Sequence, residues 1–152
     1  MIEACHQSHV KLLGVTCWRN FHIPPALAEA REVGYSHYWH NDAQAIHTIK
    51  LFVALSDVDE QDGPLHVLPM DVSRRVMNWR FSRKRVRHAE RLNAGASRMV
   101  GPRGTATLGN ATLCLHRAGI PAPGRHRDML QFLFKAHPTR DLRPPADGSR
   151  LY

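Results

Sequence analysis

No run of apolar residues approaches the roughly 18 that a membrane-spanning helix needs, and Met1-Ile2-Glu3-Ala4-Cys5-His6 has neither the basic nor the apolar region of a secretory signal. Both absences point to a cytoplasmic protein with no membrane partner. Cysteine is scarce and odd in number. Cys5, Cys17 and Cys114 lack the paired spacing of a zinc site and cannot close a disulfide framework, which fits reduced thiols. Nor do Cys5, His6, His9 and Cys17 together match a standard zinc-ligand pattern. There is no low-complexity tract and no internal repeat, so neither a disordered chain nor a solenoid is expected.

What is present is ordinary globular composition. With 152 residues, 43% hydrophobic and 22% charged, the chain suits one domain over 1–152 with a real core and a polar tail from 137. The net charge of +8 is local: between Arg74 and Arg91 eight basic residues stand against the single acid Glu90, a contribution of +7 that leaves +1 for everything else. Such a segment attracts phosphates or anionic substrates through its field. It reads as an exposed helix from an N-cap at Ser73 to about Asn93, with Val76, Trp79, Val86 and Ala89 near one face. A lid or substrate-phosphate contact is the sharper alternative. Nucleic acid is a poor partner for it, because only Trp79 and Phe81 interleave the arginines and no RNA-binding or zinc-finger motif accompanies them.

Along the chain, weak alternation through Val10, Leu12, Leu13, Val15 and Cys17 predicts a strand to about Arg19. Pro24-Pro25 then opens a short helix over Ala26 to Val33, with Gly34 suited to its end. The clearest strand is Ile46 to Leu55. Its residues Ile49, Leu51, Val53 and Leu55 make one wholly apolar face, and Ile46, Thr48, Lys50, Phe52 and Ala54 a mixed one. A polar turn over Asp57 to Pro64 leads to a brief strand, Leu65 to Pro69. Further strands are expected at Thr105 to Leu108, at Ala111 to His116 and at Arg127 to Phe134, separated by turns at Gly109-Asn110 and at Gly119 to Gly124. Many short strands and few helices predict a mainly β sandwich or barrel.

Chemistry concentrates at Ser36-His37-Tyr38-Trp39-His40-Asn41-Asp42. A histidine and a carboxylate two residues apart in extended chain point to one side, so His40 and Asp42 can share one ion. One more imidazole would complete the two-histidine, one-carboxylate face that holds non-haem Fe(II) with open positions. The motif alone is weak, since 11 histidines and 13 acids yield on the order of one such match by chance. Two others exist. His88-Ala89-Glu90 lies in the arginine-rich run, and His126-Arg127-Asp128 imitates a kinase loop but has Leu133 where asparagine is needed. His116 is the preferred third ligand. It is read as ending a late strand, of the kind that a jelly roll returns beside an early one, on the face shared with Cys114 and Thr112. Taken singly, a lone histidine is more often a satisfied structural residue.

Trp39-His40-Asn41-Asp42, Lys50 to Asp59, Asp62-Gly63-Pro64-Leu65-His66-Val67-Leu68-Pro69, Gly104, Leu115-His116-Arg117-Ala118-Gly119 and Arg127 together resemble the phytanoyl-CoA dioxygenase family of Fe(II)/2-oxoglutarate oxygenases, over about 36–134. The resemblance implies a double-stranded β-helix, a cupin-like jelly roll with one or two helices. It also implies iron held by His40, Asp42 and His116, 2-oxoglutarate anchored by Arg127 with Arg125 as runner-up, O2 as oxidant, and hydroxylation of a small or medium metabolite. Arginine suits the anchoring task because its planar fork grips a carboxylate by two parallel hydrogen bonds. After Pro69 the family usually continues Gly-Ser-His where this chain has Met70-Asp71-Val72-Ser73, and the chain is shorter than typical members, mainly at the N-terminus. The competing readings are a basic β-fold nucleic-acid module and a cupin-like metal protein without 2-oxoglutarate.

Overall fold

A computed structural model of the chain describes residues 8–30, 36–42, 44–77 and 92–141. The elements in order are β1 (Ser8–Phe21), α1 (Pro25–Ala30), β2 (Thr48–Ala54), a 3-10 turn (Glu60–Asp62), β3 (Leu65–Val67), α2 (Met70–Val76), β4 (Ser97–Arg98), β5 (Ala106–Gly109), β6 (His116–Ala118) and β7 (His126–Asp141). They build two antiparallel sheets, a larger one in the order β1-β7-β2-β5 and a smaller one in the order β4-β3-β6. The sequence order is scrambled in space, so each sheet mixes early and late strands. This is a mainly β architecture, as the strand pattern predicts, and of the jelly-roll kind that the family resemblance implies. Among the described residues no helix is long and apolar enough to cross a membrane.

The core lies between the sheets. Phe52, Ala54 and Met129 from the larger sheet meet Leu65 from the smaller one, with Val58 and Met99 beside them and Trp18 edge-on to Phe52 at 6.5 Å between ring centroids. On β2 the buried positions are Thr48, Phe52 and Ala54, while Ile49, Leu51 and Val53 are half-buried on the outer face. The mixed face therefore turns inward, as expected of a barrel whose interior must hold polar groups. On β7 the same parity buries Arg127 and Met129.

A second apolar cluster, Trp39, Leu68 and Leu115 with Val72 and Val76 of α2, covers the outside of the smaller sheet. Trp39 is fully buried, so truncation to alanine there is worth about 3–5 kcal/mol. Two glycines let the loops close behind this sheet. Gly63 has φ +65°, and a Cβ on it would lie 2.6 Å from the backbone of Gly119 to Pro121, which explains the Asp62-Gly63-Pro64 sequence better than flexibility does.

Three expectations are corrected. Ser73 is not a helix N-cap: α2 begins after Pro69, and the buried Ser73 hydroxyl donates to the Leu68 carbonyl and accepts from the Leu115 amide at 2.9 Å. Nor does that helix run on, because Met77 is extended, at φ −81° and ψ 104°. The remainder of the basic segment, residues 78–91, lies outside the described residues, as does 31–35, where the first helix was expected to end. Finally, Ala111 to Cys114 is a turn rather than a strand. The Asn110 side chain accepts from the amides of Thr112 and Leu113, and such local capping outcompetes the ladder.

Candidate metal centre

The segment from Ser36 to Asp42 runs along the edge of the smaller sheet. His40 exchanges both backbone hydrogen bonds with His116 (3.0 and 2.9 Å), the Ala118 amide donates to the Ser36 carbonyl, and the Asp42 amide donates to the Ala111 carbonyl. Alternation along this extended stretch fixes the side chains. His37, Trp39 and Asn41 are buried on one side, leaving His40 and Asp42 on the other. His116 is the first residue of β6, not the end of a preceding strand, yet its side chain meets them across the bridge.

His40 Nε2 lies 4.0 Å and His116 Nε2 3.8 Å from Asp42 Oδ1, with the two imidazole centroids 4.4 Å apart. One donor atom from each residue falls within 4.8 Å of the others. The far ring nitrogens are already committed: His40 Nδ1 donates to the Tyr38 carbonyl at 2.6 Å and His116 Nδ1 to the Cys114 carbonyl at 3.1 Å. Each ring thus keeps its proton on Nδ1 and presents the Nε2 lone pair to the shared space, the arrangement that supporting hydrogen bonds impose on metal-binding histidines. Burial first, and the charge of His40 second, lower the His116 pKa to about 4, so its imidazole is neutral at pH 7. Two imidazoles and a carboxylate on one face suit Fe(II) with positions left open.

Lys50 was not foreseen. It projects from the inward face of β2, its side chain only 11% exposed, and places Nζ 2.5 Å from Asp42 Oδ2. The sequence signal was there, since Lys50 is the one charge on the mixed face of the clearest strand.

Arg127 is almost fully buried and donates through Nη2 to Asn20 Oδ1 at 3.0 Å, an oxygen that also accepts from Trp18 Nε1. Asn20, its cross-strand neighbour on β1, was likewise not singled out from the sequence. Arg125 is engaged elsewhere, paired with Asp59 and with Asp62 at 2.8 Å. His126 and Asp128 stay near the surface, with Asp128 gripped by Arg19; His88 and Glu90 fall outside the described residues. A cleft of about 660 Å³, lined by Ser56, Asp57, Asp59, Asp62, Arg125 and His126, opens beyond the far end of β2, away from the triad. His116 instead borders a smaller cavity with Phe52, Val67 and Cys114. His66 turns to the opposite face of the smaller sheet, edge-on to Trp39 at 6.3 Å.

No family model matches the sequence, and no curated protein matches it. Solved structures do. The chain is similar to the non-haem alpha ketoglutarate dependent epimerase SnoN from nogalamycin biosynthesis, with a TM-score of 0.60, 15% identity, and coverage of 89% of this chain and 52% of the other. It is similar to the non-haem monooxygenase ThoJ in its nickel complex, with a TM-score of 0.57, 14% identity and coverage of 89% and 48%. It is also similar to HygX from Streptomyces hygroscopicus, solved with nickel and 2-oxoglutarate bound, with a TM-score of 0.53, 13% identity and coverage of 94% and 66%. At these identities the likeness establishes the fold. The chain spans about half the length of SnoN and ThoJ.

Proposed function

We propose that this chain carries the metal and co-substrate centre of an Fe(II)/2-oxoglutarate-dependent oxygenase of the phytanoyl-CoA dioxygenase type, hydroxylating a small or medium metabolite. In this reading His40, Asp42 and His116 hold the iron, and Arg127 binds the distal carboxylate of 2-oxoglutarate. The observation that carries it is the convergence of two carbonyl-locked imidazoles and one carboxylate oxygen on a single space. Support also comes from the fold, which is similar to that of SnoN, solved with Fe3+ and alpha ketoglutarate, and of HygX, solved with nickel and 2-oxoglutarate.

When bound, iron and 2-oxoglutarate supply an oxidant made from O2 that attacks a substrate C–H bond. The protein's own share is placement. Tyr38 and Cys114 carbonyls set the tautomers of His40 and His116. Asn20 orients the Arg127 guanidinium, whose planar fork matches the geometry of a carboxylate. Burial of Arg127 strengthens any bond it makes to an anion, because little water competes. The basic 74–91 segment favours an anionic substrate through its field.

The test is anaerobic titration of the protein with Fe(II) and then 2-oxoglutarate. A visible metal-to-ligand charge-transfer band that appears only with both, at one equivalent of each, is the expected result. Metal binding without that band would leave a cupin-like metal protein in its place.

A further inference from the structure

Asp42 divides its two oxygens between different partners. Oδ1 faces both imidazoles, at 4.0 Å from His40 Nε2 and 3.8 Å from His116 Nε2, while Oδ2 is ion-paired with Lys50 Nζ at 2.5 Å, outside hydrogen-bond geometry. Neither partner is loosely held. Lys50 stands on β2 between β7 and β5, its Nζ is 5.9 Å from the Phe52 ring, and both charged side chains are largely buried. The Asp42 backbone is fixed by its bond to the Ala111 carbonyl.

We propose that Lys50 is a positioning residue that makes Asp42 a one-oxygen ligand and sets the charge of the centre in favour of an anionic co-substrate at some expense of metal affinity. The proposal rests on the metal reading above and deepens it. Two physical effects follow from the split carboxylate. With Oδ2 ion-paired to an ammonium, Asp42 would offer one oxygen, Oδ1, to an ion held with His40 and His116, and the protein would supply three donors. The second effect is electrostatic. Lys50 neutralises Asp42 in the absence of metal and repels a divalent cation in its presence, while its charge attracts any anion that binds at the open positions.

The two effects have opposite signs, and that makes the role testable. Removing an ordinary supporting partner of a metal ligand weakens metal binding, typically by about 10–100-fold. Removing Lys50 leaves Asp42 buried without a counter-charge, so metal binding then relieves a penalty that the native protein does not carry.

The experiment is calorimetric titration under nitrogen of native protein, Lys50→Met, Lys50→Gln and Lys50→Arg, first with Co(II) alone and then with 2-oxoglutarate at saturating Co(II). The charge-removing variants are expected to bind Co(II) at least about threefold more tightly and 2-oxoglutarate at least about threefold more weakly, with a shifted visible Co(II) absorption pattern as the carboxylate changes its mode. Lys50→Arg should keep both affinities close to native. If both affinities fall together, if neither moves, or if both charge-removing variants lose their fold, Lys50 is a structural residue and the proposal is overturned. If native protein binds no Co(II) at one equivalent, the metal reading itself falls, an outcome separate from any behaviour of Lys50.

Discussion

The chain contains the same short motif at two described places, and the two behave differently. His40-Asn41-Asp42 and His126-Arg127-Asp128 each set a histidine and an aspartate two residues apart in extended backbone. The imidazole-to-carboxylate distances are nearly equal, 4.0 Å in the first and 3.9 Å in the second. What separates them is the third partner. Asp42 Oδ1 has a second imidazole, His116, at 3.8 Å, whereas Asp128 is gripped by both arms of Arg19 at 2.6 and 2.7 Å. Burial divides them too: the His40 side chain is 18% exposed and that of His126 is 46% exposed. A pair of donors becomes a candidate site when a third donor converges on it in a water-poor space. The same pair becomes a surface ion pair when a guanidinium arrives first.

The largest expected effect breaks this contrast directly. His116→Ala removes one of three donors and should lower divalent-metal affinity by at least about 100-fold, beyond the roughly 10–100-fold that loss of a mere supporting partner costs. His126→Ala should leave that affinity within about twofold of native. Calorimetric titration with Co(II) measures both. Equal losses in the two variants would mean that the motifs are not distinguished as the geometry has it.

Arg127 lies between the two residues of the second motif, yet turns the other way, into the core. Replacement by methionine keeps much of its volume and removes a charged fork whose bonds are worth roughly 1.5–3 kcal/mol each. At about 1.4 kcal/mol per decade, 2-oxoglutarate affinity should fall by at least about tenfold, with Fe(II) binding little changed. Arg125→Met is the control, because Arg125 is spent on Asp59 and Asp62, where the Asp59 and Asp62 side chains also cap the 3-10 turn. Its loss should lower the melting temperature and leave 2-oxoglutarate binding alone. If Arg125→Met weakens the co-substrate and Arg127→Met does not, the roles are exchanged; if neither matters, the 2-oxoglutarate reading is abandoned.

Period-two patterning made much of this legible in advance. It located β2 to within two residues at its start and gave its two faces. It also put His40 and Asp42 on a common side. The failures have local causes. Ala111 to Cys114 looked like a strand because the residues suit one, but the Asn110 side chain captured the next two amides and turned the chain, so that His116 starts β6 instead of ending the strand before it. Ser73 looked like a helix cap because serine favours that position, but its hydroxyl serves a contact 42 residues away that no local pattern records. Lys50 and Asn20 were visible as polar residues on strands, yet their roles depend on partners brought by other segments, Asp42 in one case and Arg127 in the other.

The smallest expected effect concerns Asp128. The hydrogen bonds from Arg19 lead the causes that hold its carboxyl below the usual carboxylate range; partial burial opposes them, and His126 adds the least. A carboxylate whose folded pKa lies below its unfolded value stabilises the fold above the unfolded value, near 3.9, and that contribution disappears as pH falls through the lower, folded pKa. Both Arg19 and Asp128 are well wetted, so screening keeps the effect small. Asp128→Asn should therefore lower the melting temperature by only about a degree or two, uniformly from pH 8 down to about 5, with the difference from native closing below about pH 4. His126 supplies the sharper half of the test. If its contact with Asp128 at 3.9 Å mattered as much as the Arg19 grip, His126→Ala would lower the melting temperature as far as Asp128→Asn does. Thermal melts of native, Asp128→Asn and His126→Ala protein across that range should show no loss in the last, and a loss equal to that of Asp128→Asn would mean that the second motif, too, works through its histidine.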